Sequence, residues 1–394
     1  MKIAVYNDWW KPDLVGGAEH TSLTAVRELQ TQNPSDRFEV FTYSSAFRSS
    51  IALIDNLSVR RVFNFALRRK YNANKAVKLF EKIRILIDPI SPRLLARAIL
   101  KSQPNVLVIH NMDRVGIKLV KFVASSGIPV IRVFHDLGDT CMNRKRFKRE
   151  SPCKKTCLLC IPKSYQHRRI FSIYDGSVAC SWYVERKLRS LGFDGSEISV
   201  GYPTIIQQSE SFFTEKKEKS YSIGFVGRLA PEKGLETLIH GIRILRQKSQ
   251  QNVELVIAGT GSDAYVSKIK NLSDHAEIST VFTGYLKNPY EYFKNRVDLI
   301  VVPSLWEEPL GRVPLEASSF GIPSLVSEIG GLVEAKDLIS DGVRFFKPGN
   351  PDDLAQKLDF FFRTQLVTKT RLIPYKNMTS ALSEIFERYR VGIE

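Results

Sequence analysis

Short apolar runs rich in β-branched residues alternate with amphipathic helical patterns over nearly the whole chain. That alternation is the signature of parallel sheets joined by crossover helices, because each buried strand needs a covering element before the next can pair with it. The first half places strands at Lys2–Asn7, Phe38–Tyr43, Val106–His110, Val130–His135 and Gly176–Cys180, with helices at Ala18–Gln30, Lys75–Ile87, Ile117–Ser125 and Trp182–Leu191. The pattern loosens over Gly201–Ser220, GYPTIIQQSESFFTEKKEKS, and then starts again. Strands follow at Ser222–Val226, Val253–Ala258, Val281–Thr283, Leu299–Val302 and Ser324–Val326, with helices near Gly234–Gln247, Ala264–Leu272, Pro289–Lys294, Pro314–Ser319 and Asp352–Phe362. At 394 residues the chain is about twice an ordinary domain. The expected fold class is α/β: two Rossmann-like domains, residues 1–205 and 206–376, with parallel sheets facing a cleft between them. An amphipathic helical pattern over Ser380–Arg390 closes the chain, and residues 377–394 are expected to pack back toward the first domain.

The stretch LWEEPLGRVPLEASSFGIP, residues 305–323, follows the buried run Leu299–Val302. Glu308 is expected in the loop above that strand, and Glu316 in the first turn of a helix opened by Pro314, whose fixed φ suits that position. Open α/β sheets bind ligands at this end of their strands. Backbone N–H groups around Leu310–Val313 would crown a helix N-terminus and seat a diphosphate. Carboxylates beside a diphosphate repel it unless they face neutral hydroxyls, for which ionised acids are strong acceptors. The second motif, Gly224-Phe225-Val226-Gly227-Arg228-Leu229-Ala230-Pro231-Glu232-Lys233-Gly234, brings an arginine fork and a lysine point charge to the start of a helix. Alone it reads equally as a surface turn with solvated bases; beside the acid pair, a pyrophosphate site is favoured.

In the first half, Gly16-Gly17 opens a helix at the mouth of the first strand, where a bare backbone can approach a phosphate, although such pairs usually mark only a turn. Trp9-Trp10 would stack on a sugar, enter a membrane interface or cap the sheet, and the sequence does not rank these. His110 and His135 end two strands, so both would face the ligand end, though a satisfied core histidine is the commoner outcome. No Walker loop, zincin spacing or Gly-x-Ser-x-Gly elbow is present.

Charge is one-sided. Of 58 Lys and Arg against 41 Asp and Glu, residues 1–205 hold 34 against 17 and residues 206–394 hold 24 against 24, so the net +17 lies entirely in the first half. Arg144-Lys145-Arg146-Phe147-Lys148-Arg149 is its densest run. Such a surface attracts anionic lipid head groups or nucleic acid; without aromatics interleaved among the bases, nucleic acid is the weaker reading. The N-terminus turns polar too soon for a secretory segment and no window is apolar enough to span a membrane. The expected location is cytoplasmic, peripheral on the cytoplasmic membrane face. Cys141, Cys153, Cys157 and Cys160 form a C-x11-C-x3-C-x2-C cluster, which reads as structural zinc or as free thiols with equal weight. Cys180 reads as core.

Together these stretches resemble the retaining family-4 glycosyltransferases (glycosyl transferases group 1) of the GT-B fold. The resemblance rests on GFVGRLAPEKGLETLI (224–239), VELVIAGTG (253–261), VFTGYL (281–286), LIVVPSLWEEPLGRVPLEASSFGIPSLVSEIGG (299–331) and DGVRFFKPGNPDDLAQKL (341–358). GGAEH (16–20), VIHN (108–111) and PVIRVFHDLGDTC (129–141) extend it into the first half, while residues 44–100 show no match. The resemblance implies that Arg228 and Lys233 bind the donor diphosphate, that Glu316 holds the ribose, and that Glu308 contacts the transferred sugar. It further implies that Leu310, Gly311 and Arg312 offer amides to sugar or phosphate, that Gly16 and Gly17 meet the diphosphate, and that His135 faces the sugar. It implies a UDP- or GDP-sugar donor, a glycan, lipid-linked or lipopolysaccharide-type acceptor, an anionic membrane surface as partner, and no metal required for catalysis. A relative that binds sugar nucleotide or glycan without catalysis is the alternative, and the complete set Arg228, Lys233, Glu308 and Glu316 weighs against it.

Overall fold

The structure, a computed structural model, describes all residues except 13–15, 45–48, 64–87, 89, 149–150, 209–219, 250, 365–369 and 391–394. The helix expected at Lys75–Ile87 and most of the linker lie outside the described residues. The chain divides into two compact units: Met1–Arg144 with Thr156–Thr204 and Lys376–Glu394, and Lys145–Lys155 with Ile205–Tyr375.

The first unit is built on an eight-stranded sheet. Its spatial order is Ser199–Val200, Gly176–Ala179, Val130–Phe134, Val106–Ile109, Lys2–Tyr6, Arg37–Tyr43, Leu57–Val62 and Ser50–Ile54. All neighbours are parallel except the last pair. The order reverses between Lys2–Tyr6 and Val106–Ile109, which makes that seam the switch point where ligands gather in such sheets. The edge hairpin is absent from the sequence reading. Its turn, Asp55-Asn56, has φ of 52° and 62°, the mirror-image turn that matches strand twist. The helix Met378–Arg390 belongs to this unit and buries Met378, Ala381, Leu382, Ile385 and Phe386 in its core. At roughly 1.5–3 kcal/mol for each large side chain, that burial anchors the segment firmly. It also requires Gly201, where a Cβ would stand 2.8 Å from that of Ala381.

The second unit holds a fully parallel six-stranded sheet in the order Ser279–Gly284, Asn252–Ala258, Ser220–Val226, Leu299–Val302, Ser324–Ser327 and Val343–Phe346. Numbered along the chain this is 3-2-1-4-5-6, the doubly wound nucleotide-binding order. Its switch point lies between Ser220–Val226 and Leu299–Val302, the strands that lead into the two motifs picked out from sequence. Every residue of Leu299–Val302 is buried, as a strand covered on both faces demands. Among the described residues no helix is long and apolar enough to cross a membrane.

Candidate functional site

At the switch point of the second unit, the turn after Ser220–Val226 and the loop after Leu299–Val302 meet. Leu305 donates its backbone N–H to the carbonyl of Glu232 at 2.9 Å, which fixes the two segments in register. Lys233 reaches Glu308 at 2.7 Å, and the Ser304 hydroxyl donates to the same carboxylate oxygen. Glu308 is 6% exposed, so its charge is neutralised by these neighbours and not by water. The Lys233 ammonium also lies 5.7 Å from the Trp306 ring centre. Arg228 donates to Oε1 of Glu232 at 2.7 Å, and Lys145 donates to that same oxygen. Burial pushes the Glu232 carboxyl up, but the hydrogen bond from Lys145 and the nearby positive charges outweigh it and hold the group below its ordinary range. Lys145 in turn is held below the usual lysine value by burial first, and by the charges of Arg228 and Lys233.

The helix following this loop runs from Arg312 to Ser319, two residues earlier than expected from sequence. Gly311 makes the early start feasible: it caps the helix at φ 76°, and a Cβ there would lie 2.1 Å from Leu332 Cδ2. Pro314 is therefore the third helical residue, where its missing N–H still costs nothing. Glu316 moves out of the first turn, contrary to the sequence reading. It is held from both sides, accepting from the Tyr290 hydroxyl at 2.7 Å and pairing with Arg312 at 2.9 Å. Burial and then the Glu316 charge push the Tyr290 hydroxyl well above its normal range, so it stays a donor. Leu310 is buried, and Gly331 donates its N–H to the Glu308 carbonyl at 2.7 Å, bracing the loop from below. Tyr290, Ser304 and Lys145 are absent from the sequence-derived set. Tyr290 has a weak signal, as the second residue of a Pro-led helix start after VFTGYL.

In the first unit, Gly16 caps the helix Gly17–Gln32 in extended backbone and both glycines are exposed. The first turn also carries Glu19, buried, which accepts from Asn111 Nδ2 at 2.9 Å. Arg144 donates to Asn111 Oδ1 at 2.9 Å and pairs with Asp136 at 2.7 Å and Asp113 at 3.3 Å, while Lys163 pairs with Asp113 at 2.8 Å. These partners hold Arg144 at φ 64°, a conformation few non-glycine residues adopt. His110 and His135 emerge from their strands together, Nδ1 of His110 lying 2.8 Å from Nε2 of His135 with the rings stacked. Burial, reinforced by the charge of Arg132, pushes His110 down to about 3, so it is neutral at physiological pH. His135 is the half-buried member of the pair.

The cysteines come only partly together. Cys160 Sγ lies 3.4 Å from Cys157 Sγ and 3.8 Å from Cys141 Sγ, and receives the Met142 N–H at 3.4 Å. Cys153 belongs to the segment Lys145–Lys155 of the other unit. Burial pushes the Cys160 thiol up to about 12, which keeps it protonated. Among the described residues no group of three or more His, Cys, Asp or Glu side chains is arranged to hold a metal ion. Cys180 is buried in the core of the first unit.

Both units thus present charged loops at the switch point of a largely parallel sheet. Residues 206–379 match the family of glycosyl transferases group 1. Along 208 residues the chain is 29% identical to an uncharacterized glycosyltransferase of Methanocaldococcus jannaschii, covering 50% of this chain and 51% of that one. A putative glycosyltransferase of Bacillus subtilis, YtcC, is 30% identical over 42% of this chain and 43% of its own. The chain therefore spans about half the length of these curated relatives. The crystal structure of Anabaena HepE in complex with UDP and glucose superposes with a TM-score of 0.62 at 18% identity, covering 99% of this chain and 95% of that one. These matches support a glycosyltransferase family, and the structural likeness establishes the fold as GT-B, two Rossmann-like α/β units with parallel sheets.

Proposed function

We propose that the chain is a retaining glycosyltransferase of family 4 that moves a sugar from a UDP- or GDP-sugar to a lipid-linked or cell-surface glycan, such as a polysaccharide or lipopolysaccharide. The observation that carries this reading is the pairing of Lys233 with the buried Glu308 beside Arg228, at the switch point of the second sheet. Cations there meet a departing diphosphate, and the acids meet alcohols. HepE is seen in complex with UDP and glucose, which favours a nucleotide-sugar donor here as well. A further fold relative at TM-score 0.66 and 17% identity, covering 99% of this chain and 95% of its own, is a lipopolysaccharide outer core galactosyltransferase, which favours an envelope glycan as acceptor.

In the proposed reaction an acceptor hydroxyl attacks the anomeric carbon on the face the leaving group departs from. The bond from that carbon to the phosphate oxygen breaks, and the acceptor proton passes to the leaving phosphate oxygen. Arg228 and Lys233 offset the charge building on the nucleotide, the work a divalent ion does elsewhere, so the reaction requires no metal. Amides of Leu310, Gly311 and Arg312 add donors at the helix start. Glu316, oriented by Tyr290 and Arg312, takes the ribose hydroxyls, and Glu308 meets the sugar. In the first unit, the same resemblance gives Gly16 and Gly17 a diphosphate role and His135 a sugar role, and neutral His110 orients the His135 ring.

The net charge of the first half suits an anionic membrane face. In the first unit, Leu158 and Leu159 are 84% and 76% exposed, and the helix Ile161–Arg169 that follows exposes Ile161, Tyr165, Arg168 and Arg169. Apolar side chains next to cations are the chemistry of an interfacial contact. The deciding experiment is calorimetric binding, with slow hydrolysis, over a panel of UDP- and GDP-sugars. One donor should bind and turn over slowly, and Arg228→Ala should lose it. Binding by no nucleotide sugar, or unchanged affinity in Arg228→Ala, would overturn the reading.

A further inference from the structure

We infer that Lys145 is a third cation of the diphosphate site, taking a phosphate oxygen of the same nucleoside diphosphate as Arg228 and Lys233. The inference rests on the nucleotide-sugar reading and adds a ligand-binding residue to it. Lys145 lies 87 positions from Glu232 in sequence, yet its segment, Lys145–Lys155, belongs to the second unit. Lys145 and Arg228 donate to one and the same oxygen, Oε1 of Glu232. Their nitrogens therefore lie within two hydrogen-bond lengths of each other, the span over which a phosphate oxygen, or two on adjacent phosphates, accepts from both.

The charges of the site do not balance. Among the described residues Lys145, Arg228 and Lys233 pair only with Glu232 and Glu308, so one positive charge is left over beside half-buried Lys145 and Lys233 and the more exposed Arg228. Burial first, and then the neighbouring charges of Arg228 and Lys233, depress the proton affinity of Lys145 despite its carboxylate partner. A dianion arriving here relieves the repulsion. A lysine that merely pinned its segment to the unit would need Glu232 alone, and no neighbouring arginine on the same oxygen.

The test uses the full chain with UDP, GDP, uridine and guanosine as probes in calorimetry. Lys145→Gln should weaken the nucleoside diphosphate roughly tenfold or more, flatten the salt dependence of its affinity, and leave the matching nucleoside unchanged. Lys145→Arg should restore most of the affinity. Introducing Lys145→Gln into a Glu232→Gln chain, where no carboxylate is left to pin, should weaken the diphosphate by a similar factor. Full diphosphate affinity in both Lys145→Gln chains overturns the inference. If Arg228→Ala loses the diphosphate while Lys145→Gln does not, the inference alone falls; if neither variant loses it, the nucleotide-sugar reading falls too.

Discussion

The Lys233–Glu308 pair offers a prediction whose size follows from the structure. Lys233→Ala removes the cation from a carboxylate that is 6% exposed and keeps only the Ser304 hydroxyl. Breaking a buried pair from one side typically costs about 3–5 kcal/mol. The Ser304 hydrogen bond that remains lowers the figure, so about 2–3.5 kcal/mol is expected, a fall of roughly 5–12 °C in the melting of a unit this size. Differential scanning fluorimetry of wild type, Lys233→Ala, Glu308→Gln and the double variant measures this. The double variant should recover most of the stability but none of the nucleotide affinity, and Glu308→Gln should lose turnover more than affinity. A Lys233→Ala deficit that persists undiminished in the double variant would refute the reasoning.

Two other outcomes are expected. Sedimentation with vesicles of anionic phospholipid should retain the protein at low salt and release it as salt screens the contact, and replacing Leu158 and Leu159 together with serine should weaken retention further; binding that is absent or indifferent to salt would dispose of the membrane contact. Anaerobically purified protein should carry well below one zinc per chain and titrate Cys141, Cys157 and Cys160 as thiols after unfolding, since among the described residues these side chains are not arranged to hold a metal ion; stoichiometric zinc would instead establish a metal site.

The parts of this architecture legible in sequence are those in which local pattern and tertiary demand agree. Leu299–Val302 is apolar on both faces because both are covered, and Gly311 is glycine because the chain must turn left-handed against Leu332. The edge hairpin went unseen because its signal is only Asp55-Asn56 between short runs, and edge strands need not be apolar. Sequence alone starts this helix at Pro314, two residues late, because proline favours the first helical position, whereas the backbone tolerates it anywhere in the unsatisfied first turn.

Lys145 was illegible for a stronger reason. In sequence it is one cation in a basic run, and nothing local separates it from Arg144 or Arg146. Three-dimensional partners tell the three apart. Arg144 is tied to Asp113 and Asp136 of the first unit, Lys145 to Glu232 of the second, and Arg146 is 3% exposed with a guanidinium nitrogen 3.4 Å from the Cys153 carbonyl. A run that looks like one solvated positive surface is thus split among three separate electrostatic environments. The bulk charge of the first half accordingly overstates what remains for a membrane. Arg144 and Lys145 already have carboxylate partners, so the liposome contact should depend far more on Arg168 and Arg169, exposed in the last turn of the helix that follows the exposed leucines, than on the run that dominates the composition. Charge reversal at Arg168 and Arg169 should therefore release the protein from anionic vesicles at lower salt than wild type, while nucleotide affinity, for which neither arginine is proposed, stays unchanged. Equal release by wild type and variant would place the membrane-facing charge elsewhere.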